Sequence, residues 1–190
     1  MTRLLFIFLF LFNIAQGQVR QNGNIIFAKE FSKEIALYTA KTFVAHEILE
    51  NKGSIVRFEI DPLAAASSGE LTTLVYKCPS QNKTGLVLGF YGSRWNDAGV
   101  IFQSYGFKDL PIIKANEFID KIESSFTDNS KYLNEDLDNN NISFNYDDIK
   151  ILIYAVPNGI KLRIYWNDYD SEWYYSEFKK TQKRLSKKLK

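Results

Sequence analysis

One cysteine and one histidine are all that this chain carries of two residue types often used for chemistry. With Cys78 alone, no internal disulfide can form, so the core must be held by packing. Cys78 closes the strand-like run "LTTLVYKC" and reads as a small buried apolar group. With His46 alone, multi-histidine metal sites are excluded, and a histidine-based catalytic triad has no support. His46 lies in the helical pattern "KEIALYTAKTFVAHEILENKG", where a surface or packing role fits. The serines of "AAASSGE" lack both a nucleophile elbow and a local base. Phosphate-loop, dinucleotide and zinc patterns are absent as well. Beyond the N-terminus there is no long apolar run, so no transmembrane segment is expected in the mature chain.

What is present begins with "MTRLLFIFLFLFNIAQGQ". Arg3 supplies a positive start, Leu4 to Phe12 an unbroken apolar stretch, and Ala15-Gln16-Gly17 small residues suited to a cleavage site. This is the layout of a secretory signal peptide over residues 1–17, which predicts a secreted or periplasmic protein. The 173 residues that remain suit one domain, 18–190. Heavy use of Phe, Tyr, Asn, Ile and Lys, all with AT-rich codons, suggests a bacterial source. Asn82-Lys83-Thr84 and Asn141-Ile142-Ser143 match the N-glycosylation pattern, which matters only in a eukaryote.

The periodicity predicts an α+β fold. A helix is expected over residues 32–51, with Leu37, Ala40, Val44 and Ile48 on one face. Period-two alternation in "SIVRFEID" marks a strand; "PLAAASSGE" reads as a connection. "LTTLVYKC", "GLVLGFYG" and "GVIFQSYGF" are three further strands, parted by turn-rich stretches. A second helix follows in "PIIKANEFIDKIESSF", with Ala115, Phe118, Ile119, Ile122 and Phe126 on one stripe. Residues 128–148 form a polar connection in which "ISFNY" could be a short strand. "DIKILIYAV" and "IKLRIYW" flank Pro157-Asn158-Gly159, a hairpin signal. Ser171 is then expected to cap a final helix carrying Tyr174, Phe178, Leu185 and Leu189. The sum is one antiparallel sheet of about six strands built from hairpins, with an N-terminal helix and two further helices packed on it. Two units share the order strand–turn–strand–helix, from about Gly85 to Phe126 and from about Ile149 to Leu189.

The tripeptide Trp-Asn-Asp occurs twice, at 95–97 and 166–168. Matching the two units by an offset of about 62 sets Trp95 against Pro157 rather than Trp166, so the repeat reads as coincidence of turn chemistry. Two surfaces are candidates for ligand contact. One is Trp95, Asn96 and Asp97 at a hairpin turn; the other is Tyr169, Trp173 and Tyr175 in an aromatic-rich stretch. "DLDNNNISFNYD" places Asp136, Asp138, Asn140 and Asp147 at calcium-loop positions, but Asn141 stands where the loop needs glycine, and Asp147 is short for a bidentate glutamate. The C-terminal helix carries Lys179, Lys180, Lys183, Arg184, Lys187, Lys188 and Lys190, a match for an acidic partner. No stacking aromatics lie among these lysines, so nucleic acid is not expected. Asp147-Asp148 cannot act together as an acid/base pair if they lie on a strand, because neighbours there point to opposite faces.

The sequence therefore predicts an exported, non-catalytic binding protein for a protein or glycan ligand, with no cofactor. One alternative is a carboxylate-dependent hydrolase of a cell-envelope polymer, the other a structural component of an envelope assembly. The intact mass of the exported protein tests the leader: a chain beginning at Gln18 is expected, and one retaining Met1 contradicts it.

Overall fold

The computed structural model describes residues 34–50, 53–95 and 97–190. Residues 1–17, where a signal peptide is expected, lie outside them. The fold is α+β, but its strands form two antiparallel sheets of four rather than one of about six. In the first sheet β1 (Glu59–Ala65), β2 (Leu71–Cys78), β3 (Lys83–Trp95) and β4 (Ile101–Pro111) follow one another in order. In the second, β5 (Asn141–Tyr146), β6 (Ile149–Val156), β7 (Gly159–Trp166) and β8 (Tyr169–Tyr174) do the same. Helix α1 covers residues 34–48 and ends in a π-helical turn, Val44–Ile48. Helix α2 (Ile112–Glu135) follows β4, and α3 (Tyr175–Lys188) follows β8. Among the described residues no helix is long and apolar enough to cross a membrane.

The chain thus contains two units of the same order, four strands and a helix. The two units also interlock. Helix α2 packs on β3 and β4 of its own sheet and on β5 and β6 of the other. Helix α3 makes the equivalent set, packing on β7 and β8 and on β1 and β2. One core gathers Leu86, Leu88, Phe90 and Leu110 of the first sheet, Ile151, Ile153, Leu162 and Ile164 of the second, and the apolar stripes of both helices. Those stripes match the sequence reading: Ala115, Phe118, Ile119 and Ile122 are buried in α2, and Phe178 and Leu185 in α3. Helix α1 instead covers the outer face of the first sheet, where Ala40 and Val44 meet Leu74, Tyr76, Cys78 and Val87 in a second cluster.

The main departure from the sequence reading is β8. "YDSEWY" alternates in period two, with Tyr169, Ser171 and Trp173 buried between more exposed Asp170, Glu172 and Tyr174. Ser171 is therefore a strand residue whose hydroxyl donates to the Glu70 carbonyl (3.1 Å), and α3 begins four residues later. The extra strand corrects the matching of the units. Hairpin β3–β4 corresponds to β7–β8, not to β6–β7. Both Trp-Asn-Asp tripeptides accordingly start on the last residue of the third strand of a sheet, Trp95 opposite Ile101 and Trp166 opposite Tyr169. Asn167 takes φ 49°, a left-handed conformation that Asn tolerates in tight turns. Three smaller differences concern bounds. β1 begins at Glu59, five residues after the start of "SIVRFEID", and runs on through Leu63 to Ala65; α2 continues to Glu135, and "NISFNY" is a full strand.

The two sheets meet where equivalent positions face each other. Gly106 and Tyr169 each lie five residues before the cap of the helix that follows, Pro111 and Tyr174. Phe90 and Trp166 are their respective partners across the hairpins. Tyr169 packs on Gly106, and the rings of Phe90 and Trp166 lie 5.2 Å apart. A Cβ added at Gly106 would stand 2.4 Å from Tyr169 Cε2, whereas one at Gly92 would stand at 3.4 Å from the same ring. The Tyr169 hydroxyl pairs with Ser104 Oγ at 3.0 Å. Gly106→Ala should therefore destabilise the protein by about 1–3 kcal/mol, as overpacking does, while Gly92→Ala stays within about 0.5 kcal/mol. Urea denaturation of the two variants checks this, and equal midpoints would contradict the packing described.

Candidate functional site

The proposed contact residues separate. Tyr169 and Trp173 are 3% and 1% exposed and belong to the core, so they cannot form part of a contact surface. The reason is β8: its alternation turns both side chains inward. Tyr175 is half-buried; its hydroxyl donates to Glu123 Oε2 (2.9 Å), and its ring lies 4.2 Å from that of Phe126. Burial first, then the bond to Glu123 and its charge, push the Tyr175 phenol above its ordinary value. Of the hairpin-tip group, Asp97 is exposed, while Asn96 and the side chain of Trp95 lie outside the described residues. Arg94 reaches from that hairpin to the other tip, donating to Asp168 Oδ2 at 2.8 Å with its guanidinium 5.4 Å from the Tyr169 ring centre. The two hairpin tips are thus tied by Arg94, which precedes the first tripeptide, and Asp168, which ends the second.

The calcium-loop reading does not survive. Asp136 ends α2, accepting bonds from the backbone of Asp138 and Asn139 and from the Asn139 amide. These donors hold its carboxyl below the ordinary value; partial desolvation opposes them. Asp147 lies beyond the far end of β5, paired with Lys114 at 2.6 Å. The extended strand β5, about 20 Å long, lies between Asp147 and the turn that holds Asp136, Asp138 and Asn140, so the segment is not wound into a calcium loop. No group of three or more metal-ligating side chains occurs among the described residues. Asp148 instead accepts from Lys108 (2.6 Å) and from the Trp166 indole (2.9 Å).

The basic helix is partly turned inward. Lys179 pairs with Glu123 (3.0 Å), Lys188 pairs with Asp61 (2.8 Å), and Arg184 donates to the Leu63 carbonyl. Lys180, Lys183, Lys187 and Lys190 are exposed. The same helix buries Glu177, whose oxygens accept from Ser67 Oγ and from the Tyr174 backbone N–H (3.2 Å). Thr181 pairs with Thr73 at 2.8 Å. Helix α3 is therefore the clasp between the units.

A different region has the features of a site. A cleft of about 550 Å³ opens between the end of α1, strands β2 to β4 and the first turn of α2. Tyr76, Lys83, Asp109 and Glu47 supply its polar lining, and Ile48, Pro111, Ile112 and Ile113 its apolar wall. The volume lies within the range of small-molecule sites, ~300–1,000 Å³. A row of half-buried rings leads away from it along the outer face. Phe43, Phe107, Tyr105 and Tyr91 succeed one another at centre distances of 5.4, 5.9 and 4.8 Å. The sequence reading offered none of these polar residues as a site; Lys83 entered only within a glycosylation pattern. The signal was there: in β4, Tyr105, Phe107 and Asp109 alternate onto one face, so an acid ends an aromatic row.

Asp109 is the anomaly of the cleft. Its Oδ1 is buried and has no hydrogen-bond partner among the described residues. Burial pushes its carboxyl above the ordinary value; a bond from Tyr76 and the charges of Lys108 and Lys83 pull the other way. Burial, then the Asp109 charge and bond, raise the Tyr76 phenol in turn, so Tyr76 stays protonated. The Lys83 ammonium is engaged elsewhere, donating to the Ile48 carbonyl at 2.7 Å and to Glu50 at 3.4 Å. Glu177 shows the contrast: it is buried, but both of its oxygens are bonded.

No family model, curated protein or solved structure matches this chain.

Because the folded state holds the Asp109 proton more tightly than the unfolded chain, stability falls as pH rises from the unfolded value through the folded one. The cost is complete above the folded value. Asp109→Asn should therefore raise the melting midpoint at pH near 7, with the gain shrinking on acidification towards the ordinary carboxylate range, about 4. Thermal melts of both proteins across pH check this. A variant that melts lower at neutral pH would show that the charged carboxylate is stabilising.

Proposed function

We propose that this chain is an exported binding protein whose ligand sits in the cleft between α1 and the first sheet. One observation carries the reading: Asp109, in the wall of the cleft, keeps a buried carboxyl oxygen without a donor among the described residues. Such an oxygen costs about 1–3 kcal/mol, and natural chains retain such costs mainly where function uses the group. The signal-peptide layout of residues 1–17 supports export to the periplasm or beyond. The apolar wall of Ile48, Pro111, Ile112 and Ile113 gives a ligand area to bury, while Asp109 and Tyr76 give it direction.

A carboxylate-dependent hydrolase of a cell-envelope polymer is the second reading. It is favoured by two acids, Glu47 and Asp109, in one cleft, the latter held towards its protonated form. The binding reading is preferred because it requires only the single orphaned oxygen, while hydrolysis needs two carboxyls at a set separation across a scissile bond.

Methyl NMR separates the two. Titrating a fragment set of amines, sugars and short peptides should shift the signals of Ile48, Ile112 and Ile113 and leave core Ile151 and Ile164 in place. A set that moves none of the three cleft methyls would contradict binding there. Release of soluble fragments from a cell-envelope polymer, abolished by Asp109→Asn, would favour the hydrolase.

A further inference from the structure

The second unit carries its own version of the cleft residues, and the strand ladders align the two. Tyr76 in β2 lies opposite Gly85 in β3, which lies opposite Pro111, the cap of α2. Tyr154 in β6 lies opposite Lys161 in β7, which lies opposite Tyr174, the cap of α3. Two residues before each cap stands an acid, Asp109 in one unit and Glu172 in the other. Tyr76 and Tyr154 are thus equivalent, as are Asp109 and Glu172, and Gly85 stands where Lys161 stands. Each tyrosine hydroxyl interacts with the acid of its own unit.

The units differ in one group. In the second, the Lys161 ammonium lies 2.9 Å from Glu172 Oε1, and 4.9 Å from the centre of the Tyr174 ring. Tyrosine, acid and ammonium form a closed set on an open sheet face. In the first, the lysine position is glycine and cannot be anything larger: a Cβ there would stand 2.6 Å from the Tyr76 hydroxyl oxygen. The nearest lysine of that strand, Lys83, is held by α1. So among the described residues the tyrosine and the acid are present without an equivalent ammonium, the acid keeps an oxygen with no partner, and both line the cleft.

We propose that the cleft binds a small primary amine with an apolar body, its ammonium taking on Asp109 and Tyr76 the place that the Lys161 ammonium takes in the second unit. This rests on the cleft being the ligand seat. Asp109 lines the cleft with its Oδ1 buried, so binding requires the carboxyl to turn about χ2, a broad two-fold torsion, to meet the ammonium. An ammonium donates three bonds, enough for Asp109 and for the oxygen of the Tyr76 hydroxyl, whose proton points to the acid. The carbon chain then lies along Ile48, Pro111, Ile112 and Ile113. Glu47 adds a second negative charge to the lining, against the single positive charge of Lys83.

Hexylamine, hexanol and hexanoate share one apolar body and differ in the head group. Followed by the methyl shifts of Ile48, Ile112 and Ile113, hexylamine should bind at least about tenfold more tightly than hexanol, with hexanoate weakest. Asp109→Asn should abolish that preference, and a melt of the variant shows that it is folded. Hexanol or hexanoate binding as well as hexylamine overturns the assignment, as does a preference that survives Asp109→Asn. So does the absence of shifts with hexylamine at about 10 mM. If hexanol, hexanoate or another fragment still moves the cleft methyls, the cleft remains a ligand seat and only the amine class falls. If no compound moves them, both fall.

Discussion

Tyr169 against Gly106 is the contact on which the arrangement of this protein depends. The two residues occupy equivalent register positions in two units of the same element order, five residues before the cap of the following helix, and they pack against each other. A symmetric pair of large side chains could not fit there, nor could a pair of small ones fill the space. One large ring and one bare backbone solve the problem, which makes the pair asymmetric by necessity. Phe90 and Trp166 fill the adjoining equivalent pair with rings 5.2 Å apart. With that centre fixed, each helix crosses from the last two strands of its own sheet to the first two of the other. One core shared by both sheets follows, beside the smaller cluster under α1, with no disulfide to support them.

The same near-symmetry defines the cleft. On the second sheet the outward face carries Lys161 with Glu172 and Arg163 with Asp170, pairs that satisfy one another in solvent. On the first sheet the equivalent face is covered by α1, so the tyrosine and acid that correspond to Tyr154 and Glu172 are withdrawn from water. The position equivalent to Lys161 is Gly85, over which the Tyr76 ring folds, so that strand position supplies no ammonium to Asp109. What results is a carboxyl whose charge is disfavoured by its surroundings, at the wall of a cavity. The cluster that is paired on the surface of the second unit is enclosed in the first, and there Asp109 Oδ1 has no partner among the described residues. A binding function gives that difference a reason.

Much of this was legible in the sequence, and the failures have identifiable causes. The apolar stripes of α2 and α3, the strand ending at Cys78 and the Pro157–Gly159 hairpin followed from periodicity, because packing there is decided by alternation of apolar and polar residues. "YDSEWY" failed because Asp and Ser after a turn suit a helix start as well as a strand, and the buried Ser171 gives no apolar signal. Losing that strand displaced the alignment of the units by one hairpin. With it went the equivalence of the two Trp-Asn-Asp turns. The aromatic surface at Tyr169 and Trp173 failed for the same reason, since a strand, not a helix, sets which way those rings point. Asp109 was missed because one acid in "GFKDLP" looks like a surface residue. Only the sheet shows that its face lies under α1.

The measurement that bears most directly on this account is the titration of the Asp109 side-chain carboxyl by carbon-13 NMR, in the free protein and with hexylamine. The expected result is a midpoint above the ordinary carboxylate value in the free protein, because burial opposes the charge, and a fall when the ammonium binds beside it. A midpoint at the ordinary value that hexylamine leaves unmoved would contradict both the buried, unpaired state of Asp109 and the role assigned to it.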